Sequence, residues 1–229
     1  MQPTALDFEI IRALAPLQQN YFLVDSVDVL ADSPLVNGFV FAVPWFLYWH
    51  FAEGGKRWLA QYLLLTSAIA TGLGIMASLL LQQFFTWPPP AAHPLLKDIF
   101  TLAFQENLNP NSFPSDSTIL FCIIALGTST WNKKVSISLF TWLLLFVAPS
   151  KIFVGGHYPS DILAGLLIGL FSFWLARHLA GKIPPLEILA GSSSAALRIL
   201  LFLFLFEVGN GFRDLRDILR TLIHVQRHL

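Results

Sequence analysis

Long apolar runs separated by short polar turns recur along the whole sequence. Crossing about 30 Å of hydrocarbon takes roughly 20 mostly apolar helical residues. Residues 34–52 form the first such run and are closed by Glu53-Gly54-Gly55-Lys56-Arg57. Residues 58–85 form the second, closed by Pro88-Pro89-Pro90, and residues 115–131 the third, ahead of Asn132-Lys133-Lys134. The fourth covers residues 135–153, and the fifth covers 161–179, ending before Gly181-Lys182-Ile183-Pro184-Pro185. A sixth run, residues 195–206, is short, ends at Glu207 and needs Val208 to Phe212 to complete a crossing. The pattern predicts an all-α, polytopic transmembrane helical bundle of about six spans. Composition agrees: 55% of the 229 residues are apolar and 12% are charged, against about 25% charged in ordinary soluble domains, and mean hydropathy is +0.64.

The flanks have a different character. Residues 5–30 mix Phe8, Ile11, Leu14 and Leu17 with charges, which predicts an amphipathic helix lying at the membrane interface. Residues 213–229 have the same character. The chain therefore divides into an interfacial N-terminal segment (1–33), a transmembrane domain (34–212) and an amphipathic tail (213–229). Asp7, Glu9 and Arg12 precede any long apolar stretch, so no cleavable signal peptide is expected.

Positive charges in short loops mark the cytoplasmic side. They fall at Lys56 and Arg57, at Lys133 and Lys134, and at Arg177 and Lys182. This places loops 86–114 and 154–160, with both termini, on the outer face. The basic tail residues Arg213, Arg216, Arg220 and Arg227 pull the other way, diluted by Asp214 and Asp217.

The balance of 14 basic and 14 acidic residues, without a basic patch interleaved with aromatics, excludes a nucleic-acid partner. The single cysteine, Cys122, offers neither an intrachain disulfide nor a cysteine metal site. Trp45, Trp49, Trp58, Trp87 and Trp131 lie near run ends and read as interfacial anchors. Gly165 and Gly169 permit close helix packing. Oligomeric state is not encoded in any of these features.

Two polar segments open outward ends of the runs: Ser112-Phe113-Pro114-Ser115-Asp116-Ser117, and the stretch from Ser150 to Asp161, Ser-Lys-Ile-Phe-Val-Gly-Gly-His-Tyr-Pro-Ser-Asp. A carboxylate four residues after His157, at a helix start, can accept the ring N–H, fix the tautomer and leave the other nitrogen as base or nucleophile. Gly155 and Gly156 let backbone approach a ligand, and Lys151 can hold a phosphate oxygen. Ser115 adds a hydroxyl where free helix amides favour an anion. Taken singly, His157 and Asp161 also fit a satisfied polar pair, Gly155-Gly156 a plain turn and Ser115-Asp116-Ser117 a helix cap. His93, Lys97 and Asp98 lie between the segments, either as solvated loop residues or as substitutes for a missing cation or acid.

The stretch Ser150–Asp161 closely resembles the third signature of the type-2 phosphatidic acid phosphatase (haloperoxidase-like) superfamily, Ser-Arg-x-x-x-Gly-x-His-x-x-x-Asp, with Lys151 in place of arginine and Ala164-Gly165 following. Phe113 to Thr118 resembles the second, which in the bacterial undecaprenyl pyrophosphate branch reads Phe-Pro-Ser-Asp-His-Thr. Ser117 stands at its histidine. The first, a lysine followed by Arg-Pro, aligns with Gln82 and Pro89-Pro90, so both cations are replaced. The resemblance covers roughly residues 34–180. It implies a phosphatase of membrane lipid phosphates or pyrophosphates in a bacterial inner membrane, with its site on the outer face and no metal or cofactor. It also implies His157 as nucleophile, Asp161 as its orienting partner, and a substrate site at Lys151, Ser115, Asp116, Ser117, Gly155 and Gly156. The replaced histidine and cations leave a second expectation open: a catalytically inactive member that binds a lipid phosphate or serves as a membrane partner subunit. A transporter or channel would place ionisable residues in mid-span, and the runs carry almost none.

Overall fold

All of these apolar runs are helical in the computed structural model, which describes residues 3–100, 111–182 and 195–211. The helices are α1 (Ala5–Leu14), α2 (Tyr21–Asp32), α3 (Pro34–Asn37), α4 (Val43–Phe51), α5 (Gly55–Phe84), α6 (Asp116–Thr128), α7 (Lys133–Trp142), α8 (Ala148–Phe153), α9 (Pro159–Ala180) and α10 (Ala195–Gly209). No strand occurs among the described residues.

Among the described residues, three helices are long and apolar enough to cross a membrane: Gly55–Phe84, the continuous rod Lys133–Phe153, and Pro159–Ala180. Their outward side chains include Met76, Leu80, Leu145, Leu163 and Trp174, all exposed, as lipid-facing positions require. The third run is shorter than its apolar stretch suggests. It gives a helix of 13 residues, about 20 Å at 1.5 Å per residue, because the chain turns at Thr128–Trp131. Residues 34–51 and α10 are likewise helical but not of spanning length as single regular helices.

Proline explains an irregularity that apolar patterning does not show. A π-turn at Gly38–Ala42 joins α3 to α4, and another at Leu143–Val147 joins α7 to α8. Each ends just before a proline in the first turn of the next segment, Pro44 and Pro149. A proline has no N–H to give to the ladder, and the helix re-registers around the missing bond.

Helices α5, α6 and α9 pack on one another and form the centre of the molecule. Gly165 and Gly169 bring α9 onto the backbone of α6, where an added Cβ would lie 2.7 Å from the Ser115 carbonyl oxygen and 2.9 Å from that of Ile119. The small-residue stripe is thus used inside the chain. Around this centre Phe41 stacks on Phe121 at 4.1 Å, and Trp45 is fully buried with its Nε1 donating to the Ile124 carbonyl at 3.4 Å. Trp45 is therefore a core residue, not an interfacial anchor. Its apolar ring and single N–H suit an interior position with one carbonyl in reach.

The N-terminal segment expected as one interfacial helix is two helices parted by the turn Ala15–Gln19, which holds Pro16. Thr4 and Asp7 close a capping box at the start of α1. Ile11 is fully buried and packs with Trp87 and Tyr158, with Phe8 alongside, while Leu6, Leu17 and Phe22 are exposed. One face of α1 is accordingly occupied by the protein itself. The tail 213–229 lies outside the described residues.

Candidate active site

The turn between α8 and α9 is built to present an imidazole. Gly155 adopts φ +74°, a conformation that favours glycine, and an added Cβ there would lie 2.7 Å from Ala91 and 2.8 Å from Phe100. The amides of Gly156 and His157 both donate to the Lys151 carbonyl, at 3.1 and 3.2 Å, and that of Gly155 to Ile152 at 3.0 Å. These amides are committed to closing the turn. The Gly155 carbonyl accepts from Ala91 at 3.0 Å, which ties the turn to the Pro-rich loop.

His157 emerges 19% exposed, with Nδ1 2.7 Å from the Ser112 carbonyl oxygen. A carbonyl only accepts, so Nδ1 carries the hydrogen in this bond and the Nε2 lone pair is left open. Asp161, fully buried, has Oδ2 3.8 Å from the same Nδ1, beyond hydrogen-bond reach. The sequence predicts Asp161 as the acceptor of the ring proton. In the structure that position is held by Ser112, whose backbone a side-chain pattern does not reveal. Asp161 instead gathers the surroundings: Oδ1 accepts from Trp87 Nε1 at 3.3 Å, Oδ2 from the Tyr158 amide at 2.8 Å, and its backbone carbonyl from the Ser115 amide at 3.2 Å.

The other expected residues fall around this centre. Lys151 lies in the last turn of α8, 8% exposed, directly beneath the histidine turn. Ser115 precedes α6 and is fully buried, its Oγ accepting from Thr118 Oγ1 at 2.9 Å. Its side chain makes no cap for α6, and the first-turn amides of Ser117 and Thr118 take no partner among the described residues. Asp116 accepts a hydrogen bond from Ser78 Oγ, which in turn accepts from Gln82 Nε2 at 3.1 Å. Gln82, aligned with the first-signature lysine, is therefore linked to the second-signature segment. Ser117 is half-buried beside them.

Several participants carry no sequence pattern. Asn111 fastens the first loop to the second, donating to the Phe85 carbonyl at 2.7 Å and accepting from the amides of Trp87 and Phe113 at 3.4 and 3.2 Å. Trp87, expected as an anchor, is 8% exposed and bonded to Asp161. Asp7 accepts the Ser160 amide at 2.9 Å through Oδ1, and Gln18 donates to the Phe153 carbonyl at 2.5 Å. Burial, then the Asp161 and Asp7 carboxylates, push the Tyr158 phenol well above its ordinary value, so it stays neutral. His93 is half-buried with Nδ1 accepting the Leu95 amide at 3.2 Å, edge-on to Phe8 at 5.1 Å. It lines a cavity of about 430 Å³ with Phe8, Phe84, Phe85 and Trp87. Lys97 and Asp98 are exposed on the turn Lys97–Ile99.

A helical membrane protein whose loops converge on a tautomer-fixed histidine at one end of the bundle is the class that this fold and site define. The model of the PAP2 superfamily matches residues 59–184, which include the histidine turn and the paired loops. The chain is 30% identical over 187 residues to the Bacillus licheniformis protein named bacitracin transport permease protein BcrC, covering 79% of this chain and 85% of that one. It is 31% identical over 110 residues to the putative undecaprenyl-diphosphatase YbjG of Escherichia coli K12, covering 48% and 53% of the two chains. With undecaprenyl-diphosphatase BcrC of Bacillus subtilis it shares 26% identity over 181 residues, 79% of this chain and 87% of the other. No solved structure matches. The protein belongs to the PAP2 superfamily, near its undecaprenyl-diphosphatase branch, and is an integral membrane protein.

Proposed function

We propose that the protein is a phosphatase of isoprenoid lipid pyrophosphates, working through a phosphohistidine at His157. The observation that carries this reading is the 2.7 Å contact between His157 Nδ1 and the Ser112 carbonyl, which leaves Nε2 as the nucleophile. Nε2 attacks the terminal phosphorus and the bridging P–O bond breaks. Its electron pair leaves with the isoprenyl monophosphate. Water then attacks the phosphohistidine, releases inorganic phosphate and restores the imidazole. Lys151 and the open amides at the start of α6 supply positive potential to the phosphoryl oxygens. Asp161 holds the turn and favours the positive charge that develops on the ring.

The residue at position 117 decides the substrate class. General acid catalysis is typically worth about 10²- to 10⁴-fold, and the Ser117 hydroxyl cannot deliver a proton near neutral pH as an imidazolium does. A monophosphate leaving group departs without that help; an alkoxide from a phosphate monoester does not. The replaced side chains thus favour a pyrophosphate over phosphatidic acid. In this reading the bundle crosses a bacterial inner membrane about six times and opens its site on the outer face.

A second reading is an inactive member that retains lipid-phosphate binding. It is favoured by Gln82 and Pro89-Pro90 standing at positions where the resemblance expects cations. Phosphate release by the purified protein separates the two. Hydrolysis of undecaprenyl pyrophosphate well above that of phosphatidic acid, lost in His157→Ala, supports the enzyme. Silence of the parent and of Ser117→His on both lipids supports the binding protein.

A further inference from the structure

Helix α5 runs away from the histidine site for its whole length. From Gln82 to Arg57 is about 38 Å at 1.5 Å per residue, so the two ends of α5 serve opposite membrane faces. At the Arg57 end, residues of α4, α5 and α10 line an open groove of about 470 Å³. Two guanidinium groups reach it from different helices, Arg57 and Arg198, together with the imidazole of His50. Arg57 Nε donates to the Ala52 carbonyl at 3.1 Å, which orients the group, and no carboxylate pairs with either arginine among the described residues. Gln61 lines the same cavity at 5% exposure. Two guanidinium groups that converge from different helices, with no carboxylate paired to either among the described residues, attract an anion with acceptor oxygens.

The rest of the cavity says which anion. Phe46, Ile199 and Phe202 line it and are 39%, 59% and 55% exposed. The cations thus sit beside exposed side chains suited to acyl chains, so a free inorganic anion would leave the apolar part unused. Basic pockets between membrane helices bind lipid headgroups by this combination.

We propose that this groove binds the headgroup of an anionic glycerophospholipid from the leaflet opposite the His157 site, its phosphodiester held by Arg57 and Arg198 and oriented by Gln61. Neither the histidine chemistry nor the substrate assignment enters this inference. The bound lipid fastens α10, which the sequence marks as the weakest span, to α4 and α5.

Native mass spectrometry of the delipidated, detergent-solubilised full chain tests the proposal, with dioleoyl phosphatidylglycerol and dioleoyl phosphatidylcholine added at equal concentration. The expected result is a phosphatidylglycerol adduct about tenfold more populated than the phosphatidylcholine adduct, reduced about tenfold in Arg57→Gln/Arg198→Gln and unchanged in His157→Ala. Equal adducts of the two lipids overturn it, as does a phosphatidylglycerol adduct that survives the double substitution. Retention of an isoprenyl phosphate in preference to both overturns the choice of ligand. If the double variant does not fold, thermal unfolding of the parent decides instead: a higher Tm with phosphatidylglycerol than with phosphatidylcholine supports the site, and equal Tm values overturn it.

Discussion

The carboxylate of Asp7 reaches across the molecule to the backbone amide of Ser160, 2.9 Å away, so the first helix of the chain holds the first turn of the helix that follows His157. The other oxygen of Asp7 accepts from the Thr4 amide and hydroxyl at 2.7 and 2.8 Å. One 2% exposed side chain thus closes the cap of α1 and satisfies an amide at the start of α9. Asp7→Ala is expected to lower stability by about 1–3 kcal/mol, the range for hydrogen bonds to a charged group with a cap lost. Thermal unfolding in detergent measures it. The same variant is expected to slow phosphate release by more than the lost folded fraction explains, because the turn presenting His157 loosens.

Trp87 Nε1 donates to the oxygen of Asp161 that the Tyr158 amide does not use. Trp87→Phe keeps a ring in the cluster with Ile11 and Tyr158 but leaves one oxygen of a buried carboxylate short of a donor. A loss of about 1–3 kcal/mol in stability is expected, with kcat falling several-fold and KM little changed, since Trp87 acts through Asp161 and not on the substrate. An unchanged kcat in the folded variant would show that the Asp161 carboxylate does not need this donor.

Two glycines on different helices make opposite predictions. An added Cβ at Gly165 would meet the Ser115 carbonyl at 2.7 Å and the Thr118 Cβ at 3.0 Å, both on the segment that carries the site. Gly165→Ala is expected to push α9 off α6 and cost about 1–3 kcal/mol, as overpacking does. Gly72, on α5, has nothing within 4 Å of the same added atom. Gly72→Ala is expected to be neutral or stabilising by about 0.5–1 kcal/mol, through helix propensity alone. Paired unfolding curves check both signs together.

These relationships show where the sequence speaks and where it is silent. The helices follow from apolar runs bounded by Gly, Pro and Lys-Lys turns, and the position of His157 follows from a local pattern of residues. Helix length is less readable: the run 115–131 yields only Asp116–Thr128, because Ser129 and Trp131 carry apolar or neutral side chains through a turn. Re-registration before Pro44 and Pro149 is a backbone effect with no apolar signature. The donors and acceptors that organise the site are also hidden, for a different reason. Ser112 acts through its carbonyl, Asn111 through bonds to loop backbone, and Asp7 through a contact 153 positions away. Trp87 and Trp45 share with Trp58 a place near the end of an apolar run, yet two are buried and Trp58 is 39% exposed. Only packing distinguishes them.

Ser117 offers the sharpest test of the chemistry. It lies half-buried in the first turn of α6, next to Asp116 and to amides that take no partner among the described residues. An imidazole there would have a carboxylate as neighbour and could hand a proton to a leaving oxygen. On a pyrophosphate the leaving group needs little help, so Ser117→His is expected to change the rate by less than about tenfold. On a phosphate monoester such as phosphatidic acid the same substitution is expected to raise the rate by up to about 10²-fold, the lower end of what a general acid supplies. The sign of the pH dependence separates an acid from a mere packing change. A donor must be protonated, so the monoester rate of the variant should fall as pH rises through about 6.5, the ordinary histidine value; the parent has no such limb to lose. Initial rates on both lipids between pH 5 and pH 8 provide the measurement. Equal gains on the two substrates, or a monoester gain without the falling limb, would mean that position 117 does not face the leaving oxygen and that substrate choice is set elsewhere in the site.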